Sequence, residues 1–385
     1  MKLKDKQIAI VGGGPGGLTL AKLLQLQGAA VKVYERDINK NARVQGSPLD
    51  LHDESGLAAL RKAGLMDAFK ANFMPGADKS MIMDPAATVF FSDHEHKQEE
   101  NFGDPHFRPE IDRGALRKIL LESLAPDTVV WNSRFASMEQ QDAGWSIALG
   151  DGSKVYADLV IAADGANSKL RPYLTDIKPF YSGIIMLEGV IYNATTTAPR
   201  ISALLKGGKI MAFGKEQNLL LGQKAHDEIG FYASFKADAD WINNNGPDYG
   251  NRASLLAWFK EKYSDWAPIW NELFEVTELP VIPRPIYCMP LDQSWPAKAN
   301  LTMLGDAAHV MPPFAGEGVN MAMLDALELS ECLASPHTTL QESIEAYETK
   351  MCQRAAAAAK ESLDNGEVMH AADALDNMLA FFGSP

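Results

Sequence analysis

"QIAIVGGGPGGLTLAKLLQLQGAAVKVYERD", residues 7–37, is the stretch that decides the fold. A short apolar run, "IAIV", is followed by a glycine turn, by apolar residues at helical spacing and by a second β-type run, "VKVYE". A strand, a turn, a helix and a parallel strand within about thirty residues make a βαβ unit. The sequence therefore predicts a parallel sheet with a helix packed on it.

The glycine turn has the spacing of a dinucleotide-binding loop. Gly12, Gly14 and Gly17 follow the first strand, and Glu35 ends the second. Such glycines let the backbone approach a pyrophosphate, the helix N-terminus supplies N–H groups, and the acidic residue accepts hydrogen bonds from ribose hydroxyls. This pattern predicts a dinucleotide site, with a tight turn that binds no ligand as the alternative. The adjacent Arg36 is expected either over the adenine face or in solvent.

Two further aspartates stand directly after buried β-type runs. Asp164 follows "LVIAA" and Asp306 follows "LTMLG", each beside a glycine. An aspartate at a strand end can accept hydrogen bonds from the hydroxyls of a ribityl chain, which NAD lacks. Together with the phosphate loop, these two positions favour FAD over NAD.

The remaining pattern indicates a second unit inserted into the first. Residues 180–240 alternate β-type runs with polar or glycine turns, which predicts an antiparallel sheet, and "RISALL" (200–205) is interpreted as one of its strands. The predicted fold class is α/β: a Rossmann-type FAD-binding domain with a second, antiparallel-sheet substrate domain and a long C-terminal helix. The predicted ranges are 1–72, 105–175 and 276–334 for the FAD-binding domain, 73–104 and 176–275 for the substrate-binding domain, and 335–385 for the C-terminal bridging helix.

The composition of the chain argues against several kinds of binding site. The chain has 385 residues, more than one domain usually contains, and a formal net charge of -14, which argues against non-specific binding to nucleic acid or an anionic membrane. Its three cysteines, Cys288, Cys332 and Cys352, are too far apart for a Cys-x-x-Cys site and are expected to be buried free thiols. The apolar stretch near the N-terminus is too short for a signal sequence, so a cytoplasmic location is expected.

Several motifs in register along nearly the whole chain carry a family resemblance. They are "GGGPGG" (12–17), "ER" (35–36), "IDRGALRKIL" (111–120), "ADGANSKLR" (163–171) and "GDAAHVMPPFAGEGVN" (305–320). In these motifs the chain resembles the FAD-dependent aromatic hydroxylase class of flavoprotein monooxygenases. In "VYERD", "LDLH", "KAGLM" and "YSDW" it is most similar to the tetracycline-inactivating members of that class.

The resemblance implies a reaction and its reactants. NADPH, a transient co-substrate, would reduce FAD, and O2 would then form a flavin C4a-hydroperoxide that hydroxylates an electron-rich small molecule containing a phenol or enol. No metal, nucleic acid or membrane partner is implied, and a monomer is expected. The C-terminal helix would brace both domains, although composition alone also fits an oligomer contact. An FAD-dependent oxidoreductase without oxygen insertion and a non-catalytic flavin-binding regulator remain alternatives.

The resemblance also assigns cofactor residues. It places Glu35 and Arg36 at the adenosine end, Arg113 and Asp306 along the ribityl and pyrophosphate region, and Pro313, Gly316, Gly318 and Asn320 at the flavin ring. Proline keeps the loop 313–318 out of a helix, and its glycines have no side chain to hold the backbone away from the ring. A helix restarting at about Val319 would direct its N-terminus at the flavin. His309 is expected to pack or cap this loop rather than to act as a base.

The substrate side of the resemblance rests on five positions. The tetracycline enzymes bind the polar edge of the substrate with an arginine and a histidine. In this chain the arginine aligns with Lys209 and the histidine with Gly230. A lysine keeps the charge but not the bidentate geometry, and a glycine has no imidazole, so these positions depart from the tetracycline pattern. Phe314 and Met369 match apolar pocket positions, and Tyr232 replaces a small residue. Ordinary packing in the sheet is the alternative for these positions.

Overall fold

The structure is a computed structural model that describes residues 3, 5–42, 48–95, 101–104 and 106–383. The predicted domain ranges also include residues 1–2, 4, 43–47, 96–100, 105 and 384–385, which lie outside the described residues. The strands are β1 (Gln7–Val11), β2 (Ala30–Tyr34), β3 (Leu49–Asp50), β4 (Ser80–Met83), β5 (Val89–Ser92), β6 (Glu110–Ile111), β7 (Val129–Val130), β8 (Phe135–Gln141), β9 (Gly144–Leu149), β10 (Lys154–Ala157), β11 (Leu159–Ala162), β12 (Phe180–Ile191), β13 (Lys209–Phe213), β14 (Gln217–Lys224), β15 (Glu228–Lys236), β16 (Ile282–Cys288) and β17 (Leu301–Met303).

Helices connect these strands and close the chain. They are α1 (Pro15–Leu26), α2 (Gly56–Ala63), α3 (Met66–Lys70), α4 (Arg113–Glu122), α5 (Ala194–Thr197), α6 (Pro199–Leu205), α7 (Trp241–Asn244), α8 (Arg252–Lys262), α9 (Asn271–Val276), α10 (Asp306–His309), α11 (Gly318–Ala334), α12 (Leu340–Met369) and α13 (Ala374–Gly383). The predicted N-cap of α4 is confirmed, because the side chain of Asp112 accepts from the N–H groups of Gly114 and Ala115. None of the helices in the described part of the chain is long and apolar enough to cross a bilayer.

The predicted parallel sheet is present. It orders β17, β11, β1, β2 and β7, and every neighbouring pair in it is parallel. Residues 8–11 of β1 are almost completely buried, as expected for a strand covered on both faces. The last residues of β1, β2, β11 and β17 lie side by side, because Val11 pairs with Tyr34 and Ala162, and Ala162 pairs with Met303. The segments that follow these strands therefore meet at one edge of the sheet.

The separate antiparallel sheet is also present. Seven strands lie in the order β16, β12, β15, β14, β13, β4 and β5, and only the pair β13–β4 is parallel. One face buries a second hydrophobic core against α6, α8 and α9, with Phe231 and Phe274 in edge contact there. The opposite face turns toward the loop 313–318, where Phe314 packs on it.

Two local predictions are corrected by the structure. The run "RISALL" is not a strand but lies in helix α6, because Pro199 starts a helical turn and the fully buried Ile201 and Leu205 are four residues apart. The strand β16 falls within the predicted FAD-binding range 276–334 but pairs with β12 in the seven-stranded sheet. Its prolines, Pro283 and Pro285, suit an edge strand, since they have no N–H to donate to a second neighbour.

The predicted long C-terminal helix is confirmed as α12, and residues 370–373 separate it from a further helix, α13. A short helix, α10, lies between β17 and the loop 313–318. Among the cysteines, which are all free, only Cys288 is buried, and Cys332 and Cys352 are half-buried.

His370 explains why α12 ends where it does. Its ring is fully buried, and Nδ1 must donate to the carbonyl oxygen of Gly366 at 2.7 Å because a carbonyl can only accept. Nε2 is then free to accept from Ser234 Oγ at 2.6 Å and from Asn218 Nδ2 at 3.0 Å. Burial lowers the pKa of His370 to about 4. The neutral ring therefore fastens the end of α12 to β14 and β15.

The substitution His370→Gln is expected to make unfolding less dependent on pH. The unfolded ring takes up a proton near 6.5 and the folded ring near 4, so acid favours the unfolded chain and stability is lost as pH falls through this window. Between about pH 7 and about pH 5 the difference between these two pKa values lowers the free energy of unfolding by about 2 kcal/mol. The variant should not show this loss. Urea unfolding at both pH values measures it, with the exposed His337→Gln as control. An identical pH dependence in His370→Gln and the wild-type protein would contradict this account.

Candidate functional site

The glycine turn after β1 is built by close contacts within the protein. At Gly12, where φ is +114°, a Cβ atom would lie 2.1 Å from the carbonyl oxygen of Ala163, and at Gly17 it would lie 2.2 Å from that of Gly12. At Gly14, the N-cap of α1, a Cβ would meet no described atom within 4 Å. The first and third glycines are therefore required by packing, whereas the second keeps the backbone open at the helix N-terminus.

Glu35 is held beside this turn. Its buried carboxylate accepts from the N–H of Gly13 at 2.5 Å through Oε2 and from the N–H of Asp37 at 2.9 Å through Oε1. The hydrogen bond from Gly13 joins the end of β2 to the glycine turn. It therefore holds the carboxylate of Glu35 beside the loop. Arg36, next in the chain, is exposed.

Asp164 carries an unsatisfied oxygen at the same edge of the sheet. Its Oδ2 accepts from the N–H of Lys169 at 2.8 Å, but Oδ1 is buried and has no hydrogen-bond partner among the described residues. A buried carboxylate oxygen without a donor is costly, on the order of 1–3 kcal/mol. The hydroxyl of a ribose or ribityl group is a donor of the kind that this oxygen requires.

Asp306 lies on the next strand end, close to two arginines. Its side chain is accessible to solvent, yet the surrounding protein desolvates it and raises its pKa, which the charges of His309, Arg113 and Arg171 partly oppose. A carboxylate that is accessible and still surrounded by protein lies in a cleft. Arg171 was not singled out from the sequence, although it ends the motif "ADGANSKLR". Its guanidinium donates to the backbone carbonyls of Ala307 at 2.7 Å and Asp306 at 2.9 Å, so it joins two of the strand-end segments.

The loop 313–318 approaches the same edge. Gly316 has φ of +70°, and a Cβ there would lie 3.3 Å from both carboxylate oxygens of Asp50, whereas a Cβ on Gly318 would meet no described atom within 4 Å. Pro313 is exposed. Asn320 points inward: its side chain accepts from the N–H of His52 at 2.9 Å and donates to the carbonyl of Asp50 at 3.0 Å. It therefore positions the β3 segment beneath the loop.

His309 packs behind this loop. Its Nε2 lies 2.6 Å from Asp325 Oδ2, which also accepts from the N–H of Gly305 at 2.8 Å. Burial alone would lower the pKa of His309, but the carboxylate of Asp325 raises it overall. Arg354 on α12 binds the other oxygen of Asp325 at 2.5 Å. These contacts fix the turn that carries Asp306, which is the packing role expected for His309.

A chain of charged groups beside the loop was not found from the sequence. His52 lies between Asp50 at 3.1 Å and Glu317 at 3.3 Å. Burial opposes protonation of this ring, but its two carboxylate neighbours raise its pKa to about 9. Lys209, on β13, forms an ion pair with Glu110 on β6. The motif "LDLH" (49–52) was the only signal for these residues, and nothing in the sequence showed that β3 and β6 pair.

The predicted substrate residues share one face of the seven-stranded sheet. Lys209, Gly222 and Gly230 form a row across β13, β14 and β15. A Cβ on Gly222 would meet no described atom within 4 Å, so the sheet surface beside Lys209 is open. Tyr232 lies on the same strand face as Gly230, and it packs against the same apolar cluster as Phe314.

Phe314 and Met369 close one side of this surface. Phe314 is in edge contact with the His370 ring at 5.4 Å, and its backbone carbonyl accepts from Asn365 at 3.2 Å. Met369 is buried in the same cluster. The predicted substrate residues therefore lie close together, next to the loop 313–318.

One known protein family matches the part of the chain that forms the parallel sheet. The family described as an FAD binding domain matches residues 5–178 and 295–362, more than half of the chain. This chain belongs to that family of FAD-dependent monooxygenases. The matched ranges contain all the strands of the parallel sheet and omit most of the seven-stranded sheet. FAD is thus the cofactor, and the open Gly14, the unpaired oxygen of Asp164 and the accessible Asp306 fit a dinucleotide with a hydroxylated chain.

Two relatives that match this flavoprotein over most of its length are named as monooxygenases. The monooxygenase asqM of Emericella nidulans is 28% identical over 88% of this chain and 86% of its own. The 3-amino-4-hydroxybenzoate 2-monooxygenase of Streptomyces cremeus is 25% identical over 96% of this chain and 89% of its own. The flavoprotein is thus an enzyme of the monooxygenase type.

Solved structures share its fold. Klebsiella pneumoniae HpxO in complex with FAD and uric acid matches 99% of this chain and 92% of its own, with a TM-score of 0.77 and 21% identity. The tetracycline destructase Tet(55) matches 99% of this chain and 97% of its own, with a TM-score of 0.75 and 18% identity. At these identities the likeness shows the fold alone.

Two glycine substitutions should separate folding from cofactor binding. Gly12→Ala is expected to destabilise the FAD-free protein by more than about 2 kcal/mol, because its Cβ would collide with the carbonyl of Ala163 in a strained backbone. Gly14→Ala should leave the FAD-free stability unchanged but weaken FAD binding by about tenfold or more, because its Cβ would occupy the approach of the pyrophosphate. Thermal unfolding without FAD and fluorescence titration with FAD measure the two effects. Equal effects of both substitutions on stability would contradict the distinction.

Proposed function

We propose that this flavoprotein uses NADPH and O2 to hydroxylate a planar small molecule that carries a phenol or enol group. The observation that carries the proposal is the open surface of the seven-stranded sheet beside the loop 313–318. It combines the half-buried cation of Lys209 with the paired glycines Gly222 and Gly230, and with Tyr232 and Phe314 packed on the same face of the sheet. An aromatic face suits a flat ring, and a single cation suits an acidic hydroxyl on it.

One group of residues would bind the cofactor, and a second group would bind the substrate. When bound, FAD supplies the redox and oxygen chemistry. At the parallel sheet, Glu35, Asp164 and Asp306 would hold the hydroxylated parts of the cofactor, and the N-terminus of α11 would face its ring. At the seven-stranded sheet, Lys209 would hold the substrate's oxygen, while Tyr232 and Phe314 would orient the ring and keep water from it.

The relatives guide the choice of test compounds. A relative named for 3-amino-4-hydroxybenzoate supports an aminophenol as substrate. The shared fold of the tetracycline destructases supports the enol system of tetracycline as a second compound, although Lys209 and Gly230 depart from the arginine and histidine of the tetracycline pattern.

The experiment incubates the FAD-loaded protein with NADPH, 18O-labelled oxygen and either 3-amino-4-hydroxybenzoate or tetracycline. Mass spectrometry of the organic product and NADPH absorbance are followed in the same tube. A product with one labelled oxygen atom supports hydroxylation. Product without label would indicate an oxidoreductase that inserts no oxygen, and an absence of NADPH consumption with either compound would exclude both compounds as substrates.

Gly222→Val should block the substrate surface without harming the sheet. Valine favours a strand, and its Cβ would meet no described atom within 4 Å, so stability should not fall. It would fill the space beside Lys209, and kcat/KM for the hydroxylated compound should fall by about tenfold or more. The exposed strand position Ser137→Val, in the three-stranded sheet, serves as control. Unchanged kcat/KM in Gly222→Val would place the substrate elsewhere.

A further inference from the structure

The pair formed by Lys209 and Glu110 joins the two parts of the molecule at the edge of the substrate surface. Lys209 begins β13 of the seven-stranded sheet, and Glu110 lies on β6, which pairs with β3. The side chain of Lys209 is 35% accessible, whereas that of Glu110 is 2% accessible. The Lys209 side chain is thus half-buried beside the open sheet surface, and the carboxylate that its ammonium group contacts is buried.

The position of the pair relative to the flavin loop follows from β3. Asp50 is the last residue of β3, lies opposite Glu110 in that two-stranded ribbon, and contacts the place where Gly316 has no side chain. On the other side of the pair, the open surface over Gly222 begins. A ligand on this surface would therefore touch Lys209 at one end and approach the loop 313–318.

The charges around Glu110 set its affinity for a proton. Burial raises the pKa of Glu110, and the nearby carboxylates of Asp50 and Asp78 raise it further. The charge of Lys209 opposes this rise, and the pKa of Glu110 is about 7. Burial alone would lower the pKa of Lys209, but the carboxylates of Glu110 and Asp50 raise it overall, so the ammonium form persists. A permanent cation thus contacts the cleft, and a carboxylate that can change its protonation at neutral pH lies directly behind it.

We propose that Lys209 and Glu110 together take the proton from the substrate's hydroxyl group, with Lys209 holding the oxyanion and Glu110 storing the proton. This inference rests on the proposed function, hydroxylation of a phenol or enol. The ionised oxygen pushes electron density into the ring, which favours attack by its carbon on an electrophilic oxygen atom. Glu110 acts only through Lys209, so it is a positioning and proton-storing residue, while Lys209 is the catalytic residue that touches the substrate.

The proton transfer balances without another reactant. The O–H bond of the substrate breaks and a new N–H bond forms at Lys209 Nζ. At the same time one of the former N–H protons moves to the carboxylate of Glu110 and forms an O–H bond there. Lys209 stays an ammonium group, one negative charge moves from Glu110 to the substrate oxygen, and nothing is oxidised or reduced.

The test uses the FAD-loaded protein and 4-fluorophenol at about pH 8, where the free phenol, with a pKa of about 10, is neutral. Fluorine NMR reports whether the bound probe is a phenol or a phenolate. A pH indicator in weak buffer reports the protons released on binding. In the wild-type protein we expect bound phenolate and no net release, because Glu110 keeps the proton.

The variants separate the two roles. Lys209→Met should bind the probe about tenfold or more weakly and only as neutral phenol, and Lys209→Arg should restore the phenolate signal. Glu110→Gln should still bind phenolate, held by Lys209, but should release about one proton for each bound probe. The exposed ion pair of Lys154 and Glu139 supplies matched controls, Lys154→Met and Glu139→Gln, which should behave as the wild type.

A measurement on the wild-type protein covers the case in which Glu110→Gln does not fold. Infrared difference spectra on addition of the probe should show a new protonated-carboxyl band. Absence of that band, bound neutral phenol, net proton release by the wild type, or no binding of the probe each overturns the proposal. The labelled-oxygen assay distinguishes the two failures. Labelled product with a neutral bound phenol removes the pair's role alone, and the expected probe behaviour without labelled product removes the proposed hydroxylation alone.

Discussion

The close approach of Gly12 to the end of β11 is the constraint on which the rest of the structure depends. The carbonyl oxygen of Ala163 occupies the space of a side chain at Gly12, so β1 and β11 can lie in parallel register up to their last residues. That register brings the segments after β1, β2, β11 and β17 to one edge, and with them Glu35, Asp164 and Asp306. Arg171, which donates to the carbonyl of Ala307, and Asp325, which accepts from the N–H of Gly305, then hold these segments in place.

The proposed substrate surface depends on a second set of contacts, which join elements that are distant in sequence. His370 binds β14 and β15 from the end of α12, and Asn365 on the same helix holds the carbonyl of Phe314. The loop that would face the flavin is therefore fastened to the sheet that would carry the substrate. Lys209 and Glu110 make the corresponding contact on the opposite side. Each of these contacts uses a buried or half-buried polar group, so its geometry is more restricted than that of a surface ion pair.

Local patterns predicted the elements well where one face of an element is uniformly buried. The βαβ unit, the N-cap at Asp112 and the start of α11 at Gly318 all follow from short-range spacing. The errors occurred where two periodicities fit the same letters. The apolar residues of "RISALL" fit both a strand and a helix, and the burial of Ile201 and Leu205 on one side selects the helix. The carboxylate of Glu272 accepts from the N–H of Ile201 at 2.7 Å and holds the start of this helix. The prolines of β16 argue against a strand in the sequence, but its pairing with β12 shows that it is one.

The sequence by itself determined the cofactor end of this enzyme, because a glycine turn and an acidic strand end act through backbone groups that lie within about thirty residues of each other. Family resemblance also supplied the residues that are predicted to form the substrate surface. The tertiary structure alone decided that Asp50, His52, Glu110 and Glu317 form one charged chain with Lys209, and that Asn320 faces inward. These residues lie on segments that the chain separates widely, and a charge takes its function from the neighbours that folding brings to it.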